Sequence, residues 1–438
     1  MHFSRPRSLL FPWPLARLVH IWPPCVCCVC VVWGRRSDHY FHHANDYWTS
    51  VAGNCPVPSG GNKTYGVVDL WQNANGVEGP ARGLNNSANC TQAHQQGCKY
   101  EDEIFAEGVL SLIEAHDPST PLFLFWAPHN IHAPLEVPQA FLDKFAFIHD
   151  SQRQYYAAMV NFIDTQIGRV VAALKSKGMW DNTLWMSSSD NGGPIYNSGG
   201  AGANNWPLRG GKMSNWQGGI RVNAYASGGF LPAAVRGTTV GGLIETADMY
   251  TTFCAIAGVD PADARAAAAG LPAVDGFDMW PMISGANLTS PRTEVPIGAN
   301  ASEVNMSKFY NGTVVQGIVT TAGPAGGLWK LLVGEVPQNI WTGPQYPNQS
   351  TSWVDNPEHC GIPMDPVVGK GGCLFDLLAD PTEHNDVAAA HPDIVAALYK
   401  RIEHHQSTVF SPNRGTDDGS ACRAATHTWG GFYGPFTA

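Results

Sequence analysis

Apolar positions recur along residues 101–116 at Phe105, Val109, Leu112 and Ile113, the i, i+4, i+7, i+8 spacing of one helix face. Asp102 and Glu103 fall in the first turn, where the helix dipole favours acids, and Asp117-Pro118-Ser119 ends the pattern. A longer stripe of Tyr156, Met159, Val160, Ile163, Ile167, Val170, Val171 and Leu174 predicts a helix from about Gln152 to Lys177, with Gly178 as its C-terminal cap. A third helix is expected near Leu243 to Ala257, stopped by Gly258, and a fourth from about His391 to His405. Pro121-Leu-Phe-Leu-Phe-Trp126 is a short uninterrupted apolar run, the mark of a buried parallel strand, and Thr183-Leu-Trp-Met-Ser187 reads as a second. Strand, helix, strand in that order predicts an α/β sheet with right-handed crossovers. Ligands of such sheets sit beyond the carboxyl ends of strands. Two polar clusters begin there: His129, Asn130 and His132, then Ser189-Asp190-Asn191-Gly192-Gly193.

Beyond about residue 290 the texture changes. Thr313-Val-Val-Gln-Gly-Ile-Val319, Trp329-Lys-Leu-Leu-Val333 and Cys373-Leu-Phe-Asp-Leu377 read as short strands before the last helix. The expected organisation is an atypical segment 1–36, a larger α/β domain over 37–292 and a small α+β domain over 293–438. Residues 1–36 start like a signal peptide at Arg5, Arg7, Leu9, Leu10 and Phe11, but Pro12, Pro14, Arg17 and His20 interrupt the apolar run. The cluster Cys25, Cys27, Cys28, Cys30 has soft-metal donors, but the stretch reads rather as an imperfect targeting segment or as sequence that is not native coding sequence.

Composition narrows the function. The 438 residues carry a net charge of −10 and no long Lys/Arg run, which argues against a duplex nucleic-acid binder. No stretch of 18 uninterrupted apolar residues is present, so a stable membrane span is not expected. Eight N-x-S/T sequons, at Asn62, Asn85, Asn89, Asn287, Asn300, Asn305, Asn311 and Asn348, exceed chance and point to the secretory pathway, extracellular or lysosome-like. The eleven cysteines then suggest a few disulfides. Short loops favour Cys360 with Cys373, and Cys55 with Cys90 or Cys98.

Candidate chemistry follows the loops. Asp190 and Asn191 offer hard oxygen donors suited to Ca²⁺ or Mg²⁺, beside glycines that let the backbone turn. His132 precedes Ala133-Pro134 just past the other strand. Arg209, Lys212 and Arg221 lie in a glycine-rich loop of the kind that holds anions.

Five stretches in this order resemble the sulfatase family, most closely its arylsulfatase B type branch: 121–138, 155–160, Ser189-Asp-Asn-Gly-Gly193, Asn204-Asn-Trp-Pro-Leu-Arg-Gly-Gly-Lys212 and Leu374-Phe-Asp-Leu-Leu-Ala-Asp-Pro381. The resemblance runs from about residue 39 to the end and implies an alkaline-phosphatase-like α/β sheet flanked by helices, incomplete at its N-terminal part, plus a small α+β C-terminal domain. It implies hydrolysis of sulfuric esters by a formylglycine made from a cysteine, with Ca²⁺ and basic side chains on the sulfate. By motif, Asp190 and Asn191 resemble calcium ligands, His132 the acid for the leaving alcohol and Lys212 the sulfate contact. Cys422 resembles a cysteine whose partner lies in a region unmatched here, so it is expected free. The family's C-x-P-x-R motif, its paired aspartates and its G-K-W-H segment are not found in these 438 residues. Expected, therefore, is a sulfatase-type chain with an incomplete calcium site and no turnover as written. The alternative is a non-catalytic protein that binds a sulfated glycan. A phosphate-ester hydrolase of the same superfamily is disfavoured, because its relatives need more metal ligands.

Overall fold

A computed structural model describes residues 36–39, 45–56, 64–74, 77–84, 86, 89–195, 202–324, 326–344, 356–363, 371–409 and 419–436. The atypical segment and its cysteine cluster lie outside them, apart from Arg36. Among the described residues the chain opens with β1 (Arg36–His39), β2 (Val51–Pro56), β3 (Thr64–Val68), β4 (Trp71–Ala74) and β5 (Val77–Pro80). They pair antiparallel, β1-β4-β5 as one sheet and β2-β3 as a ribbon.

Helix α1 (Glu101–Ala115) forms as its pattern requires, burying Phe105, Val109, Leu112 and Ile113. After the short α2 (Gln139–Leu142) comes α3 (Ser151–Ser176). Its N-terminus is capped by Asp150, whose carboxylate accepts from the Arg153 amide at 2.8 Å. Gly178, at φ +68°, follows its last turn. Met159, Val170 and Leu174 of the stripe are buried, but Val160 remains 41% exposed. Val170 and Leu174 pack with Val109, Leu112 and Ile113 of α1 into one cluster. Strand β6 (Trp185–Ser188), α4 (Gln217–Ile220) and β7 (Ala224–Ser227) follow. β6 pairs antiparallel with β7, from Trp185 opposite Ser227 to Ser188 opposite Ala224.

Two expected buried parallel strands are corrected: Thr183–Ser187 overlaps β6, but β6 pairs antiparallel with β7 and is half-buried to exposed, and the run 121–126 is the other. It is not a buried parallel strand: Leu122, Leu124 and Trp126 are half-buried, while Phe123 and Phe125 are 56% and 50% exposed. Among the described residues, none of 121–128 enters a backbone–backbone hydrogen bond. One side of the segment packs on α1 and α3, and on the other side Phe123 meets only the edge of Phe253 among the described residues, at 5.7 Å between ring centroids.

Helix α5 (Thr246–Ala257) is closed at its start by a capping box between Glu245 and Asp248 and at its end by Gly258 in the left-handed conformation. Then come α6 (Ala264–Ala268) and α7 (Trp280–Ile283). The last part holds β8 (Glu294–Asn300), β9 (Thr313–Thr320), β10 (Trp329–Leu332), β11 (Gly334–Val336), β12 (Glu358–Gly361), β13 (Cys373–Asp376), α8 (Pro392–Thr408) and α9 (Ser420–His427). The sheet order is β13-β10-β9-β8, all antiparallel. Ile394, Leu398 and Ile402 of α8 cover it over Val314, Ile318 and Leu331. No described helix is long and apolar enough to cross a membrane.

Cys360 bonds to Cys373, as the short loop suggested. Cys55 bonds to Cys422 rather than to Cys90 or Cys98, which bond to each other, and Cys422 is therefore not free. The reason is tertiary: α9 returns to the β2-β3 ribbon, where Ala425 packs with Cys55 and Val67.

Candidate functional site

Two loops carry the candidate chemistry. The first, 129–134, follows the extended run and is held by α1. Asp102, in the first turn of α1, accepts the backbone N–H groups of His129 (3.0 Å) and Asn130 (2.7 Å). The Tyr47 hydroxyl lies within donating distance of the carbonyls of His129 (3.0 Å) and His132 (2.9 Å). The Tyr100 hydroxyl donates to the Asn130 side chain at 2.6 Å, and Asn130 donates to the Met159 carbonyl of α3 at 3.2 Å. The peptide bonds Asn130–Ile131 and Ala133–Pro134 are cis.

This fixes the half-buried His132. Its Nδ1 lies 2.8 Å from the Ala133 carbonyl, which can only accept. Nδ1 therefore carries a proton in this contact. The His132 ring stacks on that of His129 at 5.8 Å, and His129 stacks on Tyr47 at 4.2 Å.

Behind it lies a buried acidic cluster. Glu101 Oε1 is 3.1 Å from Nδ1 of His129. Burial pushes the Glu101 carboxyl up to about 8, although hydrogen bonds from Ser50 and Asn45 pull the other way. Burial also raises Asp102 to about 6 and Glu136 to about 7. Glu136 accepts the Tyr47 amide at 3.0 Å. The helix pattern marked Asp102 only as a first-turn acid, and Glu101 and Glu136 carried no separate signal. Two adjacent acids opening an apolar helix, with histidines after the next extended run, were the clue available.

The second loop follows β6. Asp190 is exposed and Asn191 half-buried. The next residues are stitched to the glycine-rich loop: Gly192 donates to the Gly219 carbonyl (2.9 Å) and Gly193 to Asn205 Oδ1 (2.9 Å). The Gly193 carbonyl accepts from the Lys212 amide at 3.1 Å and from Asn205 Nδ2 at 2.7 Å. A Cβ on Gly192 would sit 1.7 Å from the Gly218 carbonyl oxygen, so only glycine fits. Backbone bonds thus tie the segment after Asp190 and Asn191 to Lys212. The contacts of His132 run to its own loop, to Tyr47 and to His129.

Arg209 is not available to an anion. Its guanidinium lies over the rings of Trp216 (3.6 Å) and Trp341 (4.6 Å). It also bonds Asn339, the Glu383 carbonyl (3.1 Å) and Glu358 (3.2 Å). Glu383 pairs with buried Lys330 at 2.6 Å and accepts the Gln217 amide at 2.7 Å. These contacts lock the glycine-rich loop onto the C-terminal sheet; in the same loop Lys212 is half-buried and Arg221 exposed.

Calcium takes six to eight oxygens. Among the described residues no group of three or more His, Cys, Asp or Glu side chains is placed to hold a metal ion. Asp190 and Asn191 are hard oxygen donors in the loop just past β6.

The sulfatase family model matches residues 34–259. Mouse (Mus musculus) arylsulfatase J is 28% identical over 419 residues, 93% of this chain and 62% of that relative. Pig (Sus scrofa) N-acetylgalactosamine-6-sulfatase is 27% identical over 346 residues, 75% of this chain and 56% of the relative. The chain thus spans about six-tenths of the length of these relatives. Among solved structures, the PsFucS1 sulfatase from Pseudoalteromonas sp. superposes with a TM-score of 0.57 at 21% identity, covering 80% of this chain and 59% of that one. Ps i-CgsB in complex with k-i-k-neocarrahexaose gives 0.50 at 23%, covering 75% and 60%. The likeness shows the alkaline-phosphatase-like α/β fold, and with the family match over more than half its length the chain belongs to the sulfatase family.

Proposed function

We propose that this is a secretory glycoprotein of arylsulfatase type that binds a sulfate ester and does not turn it over as these 438 residues stand. The observation that carries the reading is the backbone stitching of the segment after Asp190 and Asn191 to Lys212. Lys212 contacts the sulfate oxygens, where a cation stabilises the charge that develops on ester cleavage. His132 donates a proton from Nε2 to the leaving alcohol, its ring fixed through Nδ1. All four residues share one cleft in this reading. Asp190 and Asn191 supply part of a calcium shell, and no step here depends on it. The nucleophile is missing: no C-x-P-x-R occurs, and Cys55, the one cysteine near Pro56 and Pro58, is spent in its bond to Cys422. Residues 37–292 form the sulfatase-type unit and 293–438 the small domain.

The sulfated-glycan-binding alternative is favoured by the same facts, an anion-facing loop intact and a cysteine locked. Ps i-CgsB was solved with k-i-k-neocarrahexaose, and an anionic oligosaccharide would suit Lys212 and Arg221. The test is sulfate release from an aryl sulfate with added Ca²⁺, alongside calorimetric titration with a sulfated oligosaccharide. Expected are no turnover, and binding that Lys212→Ala weakens about tenfold, a factor worth ~1.4 kcal/mol. Turnover, or a formylglycine mass at Cys55, would overturn the inactive reading. Equal binding by Lys212→Ala would remove the proposed sulfate site.

A further inference from the structure

We propose that Asn287 and Asn300 carry N-linked glycans, an inference that rests on the secretory reading above and assigns it two sites. Each begins a sequon, Asn287-Leu-Thr289 and Asn300-Ala-Ser302. Asn287 lies in the turn after α7 and is exposed with Thr289, while Leu288 between them is 79% exposed. Its Oδ1 accepts the Thr289 amide at 3.0 Å. Asn300 ends β8, also exposed, and its Oδ1 accepts both the Ser302 amide (3.0 Å) and the Ser302 hydroxyl (2.7 Å). In both sequons the side-chain carbonyl is engaged by the residue two positions on, and the amide nitrogen makes no hydrogen bond among the described residues. These turns are local, so they form before the domain closes and persist after it. Asn305 differs: its Nδ2 donates to Glu335 at 3.1 Å, thirty positions downstream, and its φ is +54°.

The transfer balances with a lipid-diphosphate-linked oligosaccharide as donor. The asparagine amide nitrogen attacks the anomeric carbon and a C–N bond forms. The bond from that carbon to the diphosphate oxygen breaks, the lipid diphosphate leaves, and the amide proton passes to a base of the transferase.

Placement at Asn300 has a further effect. β8 is the edge strand of the order β13-β10-β9-β8. An open edge invites pairing with another chain. Pro296 already removes one donor from β8, and a glycan at its last residue covers the end of the same strand.

The full chain is expressed in an animal-cell secretory system, and peptides are mapped from medium and from detergent-extracted membranes together. Amidase release in heavy-oxygen water marks each glycosylated asparagine as labelled aspartate. Expected is label at Asn287 and Asn300. Asn287→Gln, Asn300→Gln and Ser302→Ala should each lower the intact mass by one glycan. Label at other sequons, with unmodified asparagine recovered at 287 and 300, overturns the site assignment and leaves the secretory reading standing. No label anywhere, with Cys360 and Cys373 recovered as free thiols, overturns both.

Discussion

The residue that decides most at the candidate site is one the helix pattern alone marks as ordinary. Glu101 opens α1 as an N-terminal acid, yet it is fully buried against His129, with Asp102 and Glu136 nearby. Desolvation outweighs its hydrogen bonds and lifts its carboxyl from the ordinary 4.5 to about 8. A carboxyl with a higher pKa in the folded than in the unfolded state binds more protons when folded. Stability then falls as pH rises through the window between the two values, about 4.5 to 8. Asp102 and Glu136, also raised, add in the same direction. The protein should therefore melt at higher temperature at pH 5 than at pH 8, by roughly several degrees for a domain of this size. Glu101→Gln, which keeps the shape and cannot ionise, should flatten that profile and melt higher than the parent at pH 8. Calorimetric melts across the range check this; a parent that is most stable at pH 8 would contradict the burial argument. Spacing and loop chemistry single out Asp190, Asn191, Lys212 and His132 in the sequence, and their roles rest on the proposal above. The acids behind His132 were not legible, since a linear pattern cannot tell a solvated first-turn acid from one closed over by Tyr47 and Tyr100.

At the scale of elements, what was read well depended on local signals. Helix α3 was legible from its stripe and Gly178, and it occupies Ser151–Ser176. The α5 stop at Gly258 was equally plain. Residues 121–126 show the opposite case. Their apolar run reports a segment able to be buried on both faces, but burial needs neighbours, which a sequence window does not contain. Leu124 and Trp126 found α1 and α3, while Phe123 and Phe125 stand half exposed on a backbone that makes no backbone–backbone hydrogen bond among the described residues. Such a segment is a pairing template for another chain. The double substitution Phe123→Lys, Phe125→Lys should lower concentration-dependent self-association measured by light scattering. Both side chains are about half exposed, but Phe123 meets Phe253 edge-to-face, so stability should fall by about 0.5–1.5 kcal/mol, the worth of that ring pair. Loss of folding in that variant would show that both rings are structural, and unchanged association would remove the segment as the contact.

For the whole molecule, the deciding contacts join parts distant in sequence. Arg209 and Glu383 tie the glycine-rich loop to the C-terminal sheet, and α9 carries Cys422 back to Cys55 across a separation of 367 residues. Loop-length reasoning favours near partners, so it found Cys360 with Cys373 and missed Cys55. Only the return of α9 to the β2-β3 ribbon brings Cys422 within reach, and that return is packing of Ala425 and Tyr433 rather than any motif. A cross-link closing so long a loop restricts the unfolded chain strongly, and its removal typically costs 2–5 kcal/mol. Cys422→Ser is therefore expected to lose about that much in urea unfolding, with the first loss of protection in hydrogen exchange at β2, β3 and α9. The Cys55 thiol it releases is fully buried, so it should be alkylated only when the β2-β3 ribbon and α9 open, while Cys90, Cys98, Cys360 and Cys373 stay oxidised. It should still not gain sulfatase turnover, because a free thiol in Cys-Pro-Val-Pro-Ser lacks the proline and arginine offsets of C-x-P-x-R. A Cys422→Ser variant as stable as the parent, with Cys55 found bonded to Cys90 or Cys98, would restore the short-loop pairing and detach α9 from the ribbon.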